Sequence, residues 1–199
     1  MAAHPLALDL ALTIRHDGRG GVADDLEHPD GLTTWLREHT DALHAVPGAG
    51  RLVADADTLA AVRDLRAAVR ALFARAVPGD PSPADARRLL PVDTALRRLN
   101  AAAAAAPAVP SLAWPDGAEP VADWRPVSPA PGAARDALCA ALAHDAIAFL
   151  AGPDRSRLRA CHAPRCVRYF LKDHPRQEWC KPACGNRARV ARHHERHHA

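Results

Sequence analysis

Cys161-His162-Ala163-Pro164-Arg165-Cys166, thirteen further residues, then Cys180-Lys181-Pro182-Ala183-Cys184 form the stretch on which the reading of this chain turns. Four of its five cysteines fall within 24 residues as two close pairs, a spacing that lets four thiolates meet one tetrahedral ion. Zinc is the expected occupant of such a closed, all-sulfur site, and iron fits the same geometry. His162 or His174 is the alternative to one of the cysteines. With no open coordination position the site is expected to be structural, one zinc ion supplying stability to a segment with few large apolar groups. The loop between the pairs is long enough for a hairpin. Cys139, alone on an apolar helix face, reads as a small core residue.

Working outward, Pro182 stands where a helix likes to begin, which puts Cys184 in the first turn of a helix running toward His197, about 20 Å long. At 100° per residue Cys184, Ala188 and Ala191 share the face toward the metal, while Arg189, Arg192, His193 and Arg196 cover a neighbouring arc of about 100°. That arc suits a phosphate backbone or a major groove. Lys181, Arg187, Arg165, Arg168 and Lys172 are candidates for further phosphate contacts. Charge supports this division. Residues 1–154 carry 14 Lys+Arg against 20 Asp+Glu, and residues 155–199 carry 12 against 3. The final His193-His194-Glu195-Arg196-His197-His198 reads as a solvated tail rather than a second metal site.

The region before the cysteines reads as helix-rich. Leu6–Ile14 is apolar around Asp9, and its periodicity does not separate strand from helix. A helix is expected over Thr33–Leu43. Leu59, Val62, Leu65, Val69, Leu72, Phe73 and Ala76 form an apolar stripe, with Arg63, Asp64, Arg66, Arg70 and Arg75 read as off it. Ser82-Pro83 has the form of an N-cap, Pro91 interrupts, Asp93 can cap again, and the second piece ends in the alanine run 101–106. Ser111–Val127, around Pro115-Asp116-Gly117, predicts a short hairpin. After a Pro-rich break at 128–132, Ala134–Leu150 predicts a last buried helix, with a boundary near 153. The fold class is therefore α+β, helix-dominated: residues 1–152 as a helix-rich domain with a small β hairpin, and residues 154–199 as the zinc module. No P-loop, dinucleotide fingerprint or nucleophile elbow is present, so no catalytic residues are assigned and an enzyme is not expected. Lacking a secretory lead-in and a membrane-length apolar run, the chain is expected in the cytoplasm and off the membrane.

Trp179-Cys180-Lys181-Pro182-Ala183-Cys184-Gly185-Asn186-Arg187-Ala188-Arg189 closely resembles the bacterial CGNR zinc fingers, with the Cys161–Cys166 knuckle and the Tyr169–Leu171 strand in the family's order. Leu6–His16 and Leu32–Leu36 resemble the preceding ABATE domain, with Ala11 and Leu12 where that family commonly carries Val and Asn. The resemblance implies a treble-clef-like finger behind a domain of stress-related transcription regulators. DNA is then the expected partner of the tail, with RNA or a protein as alternatives, and a small-molecule ligand or a second copy of the chain is the candidate partner of the N-terminal domain.

Overall fold

The computed structural model describes residues 4–18, 21–46, 48–126 and 134–197. Its centre is helix α3 (Ala56–Ala76), packed against α5 (Val92–Ala105) and α6 (Ala134–Ala151), with α1 (Leu6–Leu12) laid across α3 and α6. Asp55 caps α3, its carboxylate accepting the Thr58 N–H at 2.7 Å. The opening apolar run divides its structure: Leu6–Leu12 is helical, and Ile14–His16 (β1) pairs antiparallel with Val22–Asp24 (β2), a hairpin that sequence periodicity did not show. Among the described residues no local side chain caps α1. A carboxylate from the far end of the chain does so, Asp145 on α6 accepting the Ala7 N–H at 2.7 Å. Burial nevertheless pushes the Asp145 carboxyl up from its ordinary value.

Helix α2 spans Pro29–Glu38, beginning earlier and ending sooner than the Thr33–Leu43 reading because Pro29 occupies its first turn; Leu43 is buried in the following turns. Pro83–Ala86 (α4) is a single turn, and α5 starts at Val92 behind Pro91. The hairpin expected from Ser111 onward is present as β3 (Ala108–Ala113) and β4 (Val121–Pro126), with Gly117 at φ 74° in its turn. Leu112 and Trp114 of this hairpin are two-thirds exposed. Val127 and the Pro-rich break lie outside the described residues.

Two readings on α3 are corrected. Arg66 and Arg70, expected off the apolar stripe, are each 3% exposed. They lie seven and eleven residues after Leu59, which at 100° per residue returns them to its face. They remain there because each finds its own set of acceptors. Arg66 forks onto Asp24 at 2.6 and 2.7 Å and reaches the Thr13 hydroxyl at 2.8 Å, locking the β1–β2 hairpin to α3. Burial raises the Asp24 carboxyl, but the hydrogen bonds and charge of Arg66 outweigh it and hold the group below its usual value.

Arg70 faces the C-terminal segment. There β5 (Leu158–Ala160) pairs antiparallel with β6 (Tyr169–Leu171), and Leu158, Ala160, Tyr169 and Leu171 belong to the same hydrophobic cluster as α1, α3, α5 and α6. Tyr169 is stacked edge-on against Phe73, with ring centroids 5.7 Å apart, and Phe73 meets Phe149 in the same way at 5.4 Å. The zinc-module hairpin is therefore part of the main core.

Candidate metal centre and basic helix

The β5–β6 hairpin brackets the first cysteine pair; it does not lie between the two pairs, as the loop length had suggested. Cys161 follows β5 and donates its N–H to the Arg168 carbonyl at 2.9 Å, closing the ladder. The chain then reverses through Arg165, a non-glycine residue at φ 62°, with the Cys166 N–H on the Ala163 carbonyl at 2.9 Å. After β6 a loop leads to α7 (Pro182–His197), where Pro182 opens the helix and Cys184 sits in its first turn. A thiolate there gains from the unpaired N–H groups of the helix start.

The four sulfurs of Cys161, Cys166, Cys180 and Cys184 all lie within 4.8 Å of one another. The Cys180–Cys184 pair is 3.5 Å apart, and Cys166 is 3.9 Å from each of them. A tetrahedral ion with zinc–sulfur bonds of about 2.3 Å requires sulfurs about 3.8 Å apart. The residues fit the ion. Thiols held this closely and without a cation cannot ionise independently. Contact with the thiols of Cys166 and Cys180 draws the Cys161 thiol below its ordinary value, while contact with Cys161 pushes Cys166 and Cys180 above theirs. A divalent cation removes this conflict by favouring all four thiolates. His162 and His174 are not part of the cluster. Cys139 is buried in α6, its thiol pushed up to about 11 chiefly by burial, as a core residue requires.

Residues 157–197 match the family model of the CGNR zinc finger, and residues 4–153 match that of ABATE, described as "Putative stress-induced transcription regulator". The chain belongs to the ABATE family. No curated protein matches it. The four cysteines of this ABATE protein thus form one structural zinc site in a CGNR finger.

The four-residue signature can be read in contacts. Cys184 supplies a sulfur. Gly185 leaves room for the Trp179 indole, since a Cβ at that position would stand 3.0 Å from Trp179 Cδ1. Trp179 in turn packs on the small cluster of Cys161, Ala163, Cys166, Phe170 and Cys184. The Asn186 side-chain oxygen accepts a hydrogen bond from Arg189, and Arg187 turns back so that its Nη2 donates to Cys184 Sγ at 3.3 Å. Sequence reasoning had grouped Arg187 with the nucleic-acid candidates; the structure places it against the metal site.

On the rest of α7, Cys184 and Ala188 are buried and Ala191 is half-buried, whereas Arg189, Arg192, His193 and Arg196 are exposed, as the helical spacing requires. Lys181 is exposed at the helix start; Arg168 and Lys172 are half-buried on the hairpin.

Three further residues, read differently in the sequence, fix the knuckle to the body. The Ser82 hydroxyl donates to the Cys166 carbonyl instead of capping α4. Arg70 donates to the Val167 carbonyl at 2.7 Å, to the Ala11 carbonyl at 2.6 Å and to Asp85 at 2.6 Å. The Tyr169 hydroxyl donates to the other Asp85 oxygen at 2.7 Å, and burial together with the Asp85 charge raises its ionisation well above the ordinary tyrosine range. In the sequence Ser82 read as a helix cap, Arg70 as a residue off the apolar stripe and Tyr169 as a strand residue of the finger, none of them as a tie between knuckle and body.

The body also holds a cavity of about 250 Å³ between α1, α6, β4 and the turn at 42–45, alanine-rich, with His44, His144 and Asp145 in its wall. No helix among the described residues is long and apolar enough to cross a membrane.

Proposed function

We propose that this ABATE protein is a DNA-binding transcription regulator, with residues 154–199 as a treble-clef-like nucleic-acid module and residues 1–152 as the body that carries it. The observation behind this reading is the exposed arc of Arg189, Arg192, His193 and Arg196 on a helix whose neighbouring face is fixed by Cys184 and Ala188. A rigidly presented row of guanidinium groups can track phosphates or fork onto guanine edges. Lys181, Arg168 and Lys172 would add phosphate contacts at the helix start and hairpin. DNA is favoured over single-stranded RNA because Tyr169 and Phe170 are buried and Trp179 is packed on the zinc cluster, which leaves few rings for stacking on bases. Binding, not catalysis, is the activity, and the alanine-lined cavity suits a small-molecule signal.

The test is duplex-DNA binding of the zinc-loaded protein at several salt concentrations, beside the triple variant Arg189→Ala, Arg192→Ala, Arg196→Ala. Wild-type affinity should fall steeply with salt, and the variant should lose roughly three from the slope of log K against log salt, about one per phosphate contact removed. Equal binding by the two proteins, or none by either at low salt, would defeat the reading.

A further inference from the structure

Arg187 differs from its basic neighbours on α7. Arg189, Arg192 and Arg196 are exposed, whereas Arg187 is half-buried with its Nη2 3.3 Å from Cys184 Sγ. Its Nε is buried and has no hydrogen-bond partner among the described residues. A buried guanidinium nitrogen without an acceptor is costly unless the charge it belongs to is compensated. The compensation lies next to it. Four thiolates on a divalent ion leave two surplus negative charges in a site where Cys161, Cys166 and Cys184 are almost wholly buried. Such a charge needs a nearby cation and N–H donors to its sulfurs. Arg187 is three residues beyond Cys184 on the same helix, the spacing at which side chains meet on one face.

We propose that Arg187 serves the zinc centre and not a nucleic acid: its guanidinium donates to the Cys184 sulfur and neutralises one of the two surplus charges, so that zinc is retained more tightly. This rests on the four-thiolate site alone and stands whether or not the tail binds DNA. It also divides the basic residues of α7 into two groups. Arg187 lowers the negative charge of the centre, and Arg189, Arg192 and Arg196 face outward.

The experiment is competition for zinc between the full-length protein and a chromophoric chelator at pH 7, for wild type, Arg187→Gln, Arg187→Lys and the outward-facing control Arg192→Gln. Arg187→Gln should hold zinc 10- to 100-fold more weakly, the range found when a partner of a metal ligand is removed. Arg187→Lys, which keeps the charge but not the forked donor, should fall between, and Arg192→Gln should match wild type. In cobalt-substituted protein the sulfur-to-cobalt charge-transfer band should shift in Arg187→Gln and stay in place in Arg192→Gln. Zinc retention by Arg187→Gln within about threefold of wild type would overturn the proposal; if that variant lost DNA affinity instead, Arg187 would be a phosphate contact. Should Arg187→Gln not fold, wild type carries the test by nuclear magnetic resonance. A slowly exchanging Arg187 guanidinium signal that vanishes on chelation supports the proposal, and a freely exchanging one in the zinc-loaded protein overturns it.

Discussion

Chelating the zinc, or replacing Cys166 with Ser, is expected to destabilise the whole chain and not only its last residues. A finger that folded on its own metal would leave the preceding helices with an unchanged transition. Here Leu158, Ala160, Tyr169 and Leu171 lie in the main core, Ser82 and Arg70 hold the carbonyls of Cys166 and Val167, and Tyr169 packs on Phe73. Structural zinc supplies roughly 10–16 kcal/mol in isolated fingers, as much as the entire stability of an ordinary domain. Losing the metal therefore removes the geometry that presents four core residues and two buried acceptors to α3 and α4. Hydrogen exchange should show protection falling in α1, α3 and α4 as well as in β5, β6 and α7 when chelator is added, with a single unfolding transition in the zinc-loaded protein. Protection of α3 unchanged by chelation would show that the two parts fold independently.

The second large effect is expected at Arg70. Its guanidinium and the Asp85 carboxylate are 4% and 3% exposed, and the two are 2.6 Å apart. Replacing Arg70 with Met keeps the volume but leaves the Asp85 carboxylate with only the Tyr169 hydroxyl beside it among the described residues, and removes the donor from the buried carbonyls of Ala11 and Val167. Breaking a buried ion pair on one side typically loses 3–5 kcal/mol, so Arg70→Met should lower the unfolding free energy by about that much. Asp85→Leu should do the same by stranding the arginine. The double variant should lose less than the sum, because neither charge is then left alone in the core. Urea unfolding of the four proteins closes the cycle. A loss under about 1 kcal/mol for Arg70→Met would mean that water reaches the site and that the network does not hold the zinc hairpin to the body.

The zinc site was almost wholly legible in advance because its ligands are local: two pairs, each short enough that a knuckle or a single helical turn brings the sulfurs together. Helix α7 was legible for the same reason, since Pro182 and the spacing of Cys184, Ala188 and Ala191 settle its start and its inward face. The β1–β2 hairpin was missed because its three-residue strands are too short to display an alternation. The burial of Arg66 and Arg70 was missed for a different reason. An arginine is assigned to the surface by default, and the acceptors that reverse this assignment, Asp24, Asp85 and the carbonyls of Ala11 and Val167, come from other segments.

By itself, then, the sequence determined the four-thiolate site, the basic arc of α7 and the helix-rich character of the rest, all properties set by spacing along one element. Only the tertiary structure decided that the zinc hairpin shares the main core, that Asp145 caps a helix 138 residues away, and that Arg187 turns toward sulfur while Arg189, Arg192 and Arg196 face outward. The physical reason is common to these cases. A buried charge or an uncapped helix end is tolerated only where a partner meets it, and that partner's position is set by how distant segments pack together.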